Sequence, residues 1–261
     1  MLNRRLLLSL SVAGIAGAGR SSQAQDIAAA LAPTGVLRVG VYEGSPLSLL
    51  TDGKTGAVSG LSTDFGAMLG QRLGVPVRRV VFRRVAEVLQ AMKAGAVDFT
   101  VSNATPVRAQ DVAFSQTLVS LELGFLVPAG SAIVGADAVD RPGVRVGVVE
   151  GSTSQRTLPR LLPKTTVVAA PDVKIAVQMF EQGALDVFAT NKPTLFEMAD
   201  AMPGARVLDG RWGAEHIAFV IPQGRDAGMA YIRAMVTQVQ SDGSLDRAIA
   251  RAGLRGSMKA E

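Results

Sequence analysis

The chain repeats itself, and that constrains its fold more than anything else in it. AGAVDFTVSN at 94–103 is echoed by QGALDVFATN at 182–191, with Gly, Asp and Asn at the same offsets, and LRVGVYEGS at 37–45 is echoed by VRVGVVEGS at 144–152. The two echoes come in the same order, so the chain reads as two similarly built lobes. In the first copy a helix over Val85–Lys93 stops at Gly95, and a short buried strand, Val97–Val101, runs out into a polar loop ending at Arg108. Polar atoms just past the carboxyl end of a strand are where open α/β sheets bind ligands.

The remaining segments fit that frame. Leu37–Val41 is apolar but for Arg38, as expected of a strand buried on both faces. Turn signals over Asp52–Val58 predict a hairpin. Leu61, Phe65, Met68, Leu69 and Leu73 share one face of a helix over Leu61–Leu73, and Val77–Phe82 is the next strand. This β–α–β–α–β order predicts an α/β fold with a mostly parallel sheet. The second copy reads as strand Val144–Val148, helix Ser154–Leu162, strand Thr166–Ala169, helix Asp172–Gln182 and strand Leu185–Thr190. Ile133–Asp140 reads as a connecting helix or loop. The extended runs Leu118–Val127 and Glu215–Pro222 are the expected crossings between lobes, a hinge suited to closing around a ligand. Helices over Asp226–Gln240 and Ser244–Ala252 then return to the first lobe. Lobe 1 is expected to comprise 35–121 plus 220–261, and lobe 2 residues 122–219.

Residues 1–24 read as a secretory signal peptide: Arg4-Arg5, an apolar run from Leu6 to Ala18 too short to span a bilayer, and a Ser22-Gln23-Ala24 cleavage site. The expected location is the periplasm. There is no cysteine, hence no disulfide, lipid-bearing Cys or Cys-ligated metal. Of the formal charge of +5, Arg4, Arg5 and Arg20 lie in the leader, and no Lys/Arg run is interleaved with aromatics. No nucleic-acid partner is expected. The single histidine, His216, on a crossing strand, is expected to be structural; it cannot build a His-rich metal site or support a Ser–His triad. No cofactor is expected.

The candidate ligand site starts from Arg108, whose planar fork of donors suits a carboxylate. Ser102, Asn103 and Thr105 lie beside it in sequence. In the second lobe Ser152, Thr153 and Ser154 open a helix whose free N–H groups and dipole favour an anion. An arginine on one lobe and a helix N-terminus on the other would clamp one carboxylate.

LRVGV at 37–41, Gly60 to Asp64, AMKAGAVD at 91–98, TPVR at 105–108, AFSQTL at 113–118, VGVVEGSTS at 146–154, QGALD at 182–186 and SDGSL at 241–245 together resemble the bacterial extracellular solute-binding proteins of family 3, over about Gly35 to Gly253. The resemblance implies a two-lobed, Venus-flytrap periplasmic-binding-protein fold. It also implies a monomeric, non-enzymatic receptor that hands a polar amino acid to the inner-membrane permease of an ABC importer. In that family an acidic residue after the second-lobe strand holds the ligand's ammonium and aromatics cover its side chain. Here those places hold Asn191 and Val85 or a neighbour, and the loop from Asp98 to Arg108 is shorter. Tyr42 and Glu43 are candidates to compensate, Glu150 and Glu122 weaker ones. An amino acid and a carboxylate without an amine both remain compatible with Asn191. Arg83 and Arg84 are read as a solvated helix start, Asp98 and Asp186 as bonding backbone near the strand starts, and Trp212 as packing near the hinge. The rival reading is an enzyme on the same scaffold, a cyclohexadienyl-dehydratase-like protein with Glu43 or Glu150 as general acid.

Overall fold

The computed structural model describes residues 18–258. In chain order the first lobe contains α1 (Ala18–Leu31), β1 (Leu37–Tyr42), a small hairpin of β2 (Leu50–Thr51) and β3 (Val58–Ser59), α2 (Leu61–Leu73), β4 (Val77–Phe82), α3 (Val85–Lys93), β5 (Thr100–Asn103) and β6 (Val112–Phe114). After β7 (Val119–Val127) come β8 (Arg145–Val149), α4 (Thr153–Leu161), β9 (Thr166–Ala170), α5 (Val173–Glu181), β10 (Val187–Asn191), α6 (Lys192–Ala201) and β11 (Arg206–Val207). The chain returns through β12 (Gly213–Pro222) and ends in α7 (Asp226–Ser241), α8 (Ser244–Ala252) and β13 (Ser257–Met258). The sequence periodicity placed α2, α3 and α8 at these same ends. Most of the expected signal peptide, residues 1–17, lies outside the described residues; α1 runs across the expected cleavage site, and Leu31 at its end is fully buried in the first lobe's core.

The two crossings hold the lobes together. β12 pairs antiparallel with β5 in the first lobe and with β7, from Gly213 opposite Leu123 to Ile217 opposite Val119. β7 in turn pairs antiparallel with β10, which lies parallel to β8, and β8 parallel to β9. One curled sheet therefore runs from lobe to lobe through β12 and β7. The parallel pair β1–β4 attaches to it beside β5, where Val39 bridges Phe99. The first-lobe core packs Phe65, Phe99 and Phe219, with Phe65 meeting Phe219 edge-on at a centroid distance of 5.0 Å. The second lobe buries Phe125, Val146 and Val187 on one side of its sheet and Phe180, Phe188 and Leu195 on the other.

The repeat is structural as well as textual. Asp98 accepts hydrogen bonds from the backbone N–H of Arg38 and from Nε and Nη2 of its guanidinium, and Asp186 does the same for Arg145. Each pair fastens the start of one strand to the next in its lobe. Two expectations need correcting. The strand expected over Val97–Val101 is Thr100–Asn103, because residues before it meet β1 only through a single bridge, while Thr100 to Asn103 form a ladder with β12. The helix α6 was not anticipated, although Asn191-Lys192-Pro193 carries its signal: Asn191 caps it through the Thr194 N–H, and proline suits the first turn.

Candidate functional site

Between the lobes lies a cavity of about 60 Å³, lined by β-strand ends, loops and helix starts from both sides. Arg108 reaches it from the loop after β5. Its side chain is buried; Nη1 donates to Ser102 Oγ at 3.0 Å and to the Asn103 carbonyl at 3.1 Å, and Thr105 Oγ1 accepts the Arg108 backbone N–H. Nε and Nη2 make no hydrogen bond to any described residue, so the outer edge of the fork is free for a ligand. Burial pulls the Arg108 pKa down, and the nearby Glu215 carboxylate opposes that pull. The guanidinium stays charged all the same.

Glu215, at the lobe-2 end of β12, faces this arginine. It is buried, and it accepts hydrogen bonds from Asn103 Nδ2 at 3.4 Å and Asn191 Nδ2 at 3.2 Å. Burial raises its pKa, while Arg108, the two amides and the Thr153 hydroxyl act to lower it. Sequence reasoning assigned this residue no role beyond starting an extended run. Asn191 thus has two occupations, its Oδ1 capping α6 and its Nδ2 holding Glu215. The acid missing at Asn191 is present one hydrogen bond away, on the hinge strand.

Of the sequence candidates, Tyr42, Ser102, Asn103, Arg108, Ser152, Thr153 and Asn191 line the cavity together. Ser154 is buried in the first turn of α4, and Thr105 stands behind Arg108, positioning its backbone. Glu43 is exposed and lies outside the cavity, in a neighbouring recess with Val81 and Asp172. Glu122 pairs with Lys192 and Arg211 away from the cleft. Trp212 donates Nε1–H to the Gly124 carbonyl and packs on Phe125 beside the crossings.

Arg83 and Arg84 do more than start a helix in solvent. Arg83 reaches Asp172, the N-cap of α5, at 2.9 Å, and Arg84 Nη1 meets the Pro171 carbonyl at 3.2 Å and Glu150 at 3.1 Å. All three contacts cross between lobes, as do Asn103 Nδ2 to Thr153 Oγ1 at 3.2 Å and the Ser45–Thr194 hydroxyl pair at 3.4 Å. The structure is a closed one. The repeated Glu-Gly-Ser turns form part of the closure: Gly44 faces Val173 at the start of α5, and Gly151 faces Ala86 at the start of α3.

Gly151 has φ +72°, and a Cβ there would stand 2.6 Å from the Ala86 Cβ. Gly151→Ala should therefore hold the lobes apart and weaken ligand binding by about tenfold, the equivalent of roughly 1.4 kcal/mol of overpacking. Gly183, with φ +64° and nothing within 4 Å, supplies the control, since alanine there carries the same backbone strain without the clash. Isothermal titration calorimetry on both variants separates the two; equal affinities would remove the Gly151–Ala86 contact from the closing movement.

The family model of bacterial extracellular solute-binding proteins, family 3, matches residues 37–253. No protein of curated function matches the sequence. Among solved structures, a mutant of ArgBP from T. maritima is similar at TM-score 0.78 and 18% identity, covering 88% of this chain and 100% of that one. The solute receptor for L-cysteine of Neisseria gonorrhoeae is similar at TM-score 0.76 and 22% identity, covering 86% and 92%. An ancestral amino acid-binding protein, a precursor of cyclohexadienyl dehydratase, is similar at TM-score 0.75 and 24% identity, covering 85% and 97%. These likenesses carry the two-lobed fold.

Proposed function

Because the chain belongs to the bacterial extracellular solute-binding proteins of family 3, we propose that it is the receptor of an ABC importer and that its ligand is an α-amino acid held in the interlobe cavity. The observation that carries this reading is the opposition of Arg108 and Glu215, two buried groups of unlike charge on one cavity. A buried charge without a partner is costly, and a zwitterion satisfies both at once. The carboxylate takes the free edge of Arg108 with the first N–H groups of α4; the ammonium takes Glu215. A monocarboxylate without an amine would bring Glu215 no cation and would add a second negative charge beside it. The ligand binds one lobe, the hinge closes, and the closed form docks on a permease of the inner membrane; the expected leader places the protein in the periplasm. The domain division at the two crossings is part of the same reading.

The test is Glu215→Gln assayed by calorimetry against amino acids and amine-free carboxylates. The wild type should bind amino acids, and the variant should lose about 2–5 kcal/mol of that affinity. Its affinity for amine-free acids should hold or rise. The raised Glu215 pKa also sets a direction with pH. As pH falls toward that pKa the carboxyl takes a proton, the ammonium loses its partner, and wild-type affinity declines; the Gln variant should show no such decline. A wild type that binds only amine-free acids would sink the amino-acid reading.

A second reading, a dehydratase of the cyclohexadienyl type, gains from the same residue. A buried carboxyl of raised pKa could serve as general acid to a departing hydroxyl, whereas Glu43 is exposed and Glu150 is in an ion pair with Arg84. Turnover of prephenate or arogenate by the wild type, lost in Glu215→Gln, would favour it.

A further inference from the structure

Among the described residues, four charged side chains line the cavity: Arg108 and Glu215, which a zwitterion takes up, and Arg83 and Arg84 just ahead of α3. The last two are already answered from lobe 2. Arg83 Nη2 meets Asp172 at 2.9 Å, and Arg84 Nη1 meets Glu150 at 3.1 Å. Neither of those acids lines the cavity itself. Resting on the amino-acid reading above, we propose that Asp172 and Glu150 are specificity-determining residues: by pairing with Arg83 and Arg84 on closure, they reserve the cavity for α-amino acids whose side chain carries no charge.

Within lobe 1, the one carboxylate on either guanidinium among the described residues is Glu87, 3.4 Å from Arg84. Two arginines with one acid would draw an acidic side chain. Closure changes that, because lobe 2 brings a carboxylate to each. In the closed cavity an acidic side chain would have to displace Asp172 or Glu150 from its arginine. That breaks a contact between lobes and sets like charge against like, a costly arrangement at an interface and a device for rejecting wrong ligands. A cationic side chain fares no better. It would meet two guanidiniums, while Glu215, the one carboxylate in the lining, holds the ammonium. An uncharged side chain disturbs none of these pairs, and Leu47, Val85, Val149 and Val173 offer it apolar surface. Specificity and closure thus rest on the same two contacts.

The experiment compares ligands of matched shape by isothermal titration calorimetry: aspartate against asparagine and 2-aminobutyrate, glutamate against glutamine and norvaline, lysine against norleucine. The wild type should bind an uncharged member about 100-fold more tightly than its charged counterpart. The double variant Asp172→Asn/Glu150→Gln leaves Arg83 and Arg84 without their lobe-2 carboxylates. It loses contacts between lobes and should weaken all ligands together, so the informative quantity is the ratio within a set. The acid-to-neutral ratio should move about tenfold toward the acid, the size expected of two solvent-screened pairs, while lysine stays rejected. Asp172→Asn alone should carry the larger share, since Asp172 is 17% exposed and Glu150 53%. Asparagine still caps α5 in place of Asp172, and retained binding of the neutral ligand reports a folded variant. An acid-to-neutral ratio unmoved in the double variant would overturn the role of the two carboxylates. A wild-type preference for an acidic ligand or for lysine would overturn the uncharged class. Failure of every amino acid to bind would instead overturn the reading on which this one rests, and this one with it.

Discussion

Arg108→Ala should all but abolish ligand binding. Truncating one partner of a buried, hydrogen-bonded charge pair costs about 2–5 kcal/mol, or roughly 30- to several-thousand-fold in Kd. Here the loss has three parts. The carboxylate loses a fork whose outer edge has no competing acceptor among the described residues; Ser102 Oγ and the Asn103 carbonyl lose their donor; and Glu215 loses the positive charge that opposes the effect of burial on its pKa. The last part makes the damage spread, since a Glu215 that takes up a proton more readily also holds an ammonium less well. Arg108→Lys should fall between, because a point charge replaces a planar fork. Calorimetry gives the affinities, and thermal denaturation gives an independent check: saturation at 100 times Kd stabilises the wild type by about 2.7 kcal/mol, a shift the alanine variant should lack at the same ligand concentration. Undiminished affinity in Arg108→Ala would move the carboxylate site elsewhere.

Asp98→Asn should produce the largest loss of folding stability, about 3–5 kcal/mol, the cost of breaking a buried ion pair by removing one partner. For a chain of this size that is a fall in Tm of about 6–20 °C. Asp98 is fully buried and holds two arginines: Arg38 at the start of β1, at 2.7 Å, and Arg225 ahead of α7, at 3.0 Å. Arg225 also reaches the Leu31 carbonyl at the end of α1. One carboxylate therefore gathers four segments of the first lobe. Its counterpart provides the comparison. Asp186 holds Arg145 with the same hydrogen bonds, but their side chains are 36% and 41% exposed, and Asp186→Asn should cost at most about 1 kcal/mol. Burial acts to raise the Asp98 pKa, yet the hydrogen bonds from Arg38 and Arg225 outweigh it and hold the carboxyl below its ordinary range. Its contribution is thus fully present above the unfolded value of about 3.9 and is lost as pH falls through the lower folded value. The stability gap between wild type and Asp98→Asn should stay constant down to about pH 4 and close below it. Equal costs at Asp98 and Asp186 in urea denaturation would contradict the weight given to burial.

The sequence by itself determined the local elements and their doubling. Apolar periodicity set α2, α3 and α8, glycine stops ended helices, and the paired motifs announced two α/β units joined by two extended runs. Half of the cleft was legible for the same reason: Ser102 and Asn103 end one strand and Arg108 lies in the loop after it, and Ser152 and Thr153 open one helix, so short-range rules put them at strand and helix ends. The tertiary structure alone decided the other half. Glu215 meets Asn103 across 112 residues of chain and Asn191 across 24, a meeting created by the pairing of β12 with β5 and β7. Arg84 reads as a helix start in solvent until lobe 2 brings Glu150 and Pro171 against it. Local sequence fixes where a backbone turns and which face is apolar. Which charges share a buried cavity depends on how the hinge strands pair and on how far the lobes close, and no single stretch of the chain carries that distance.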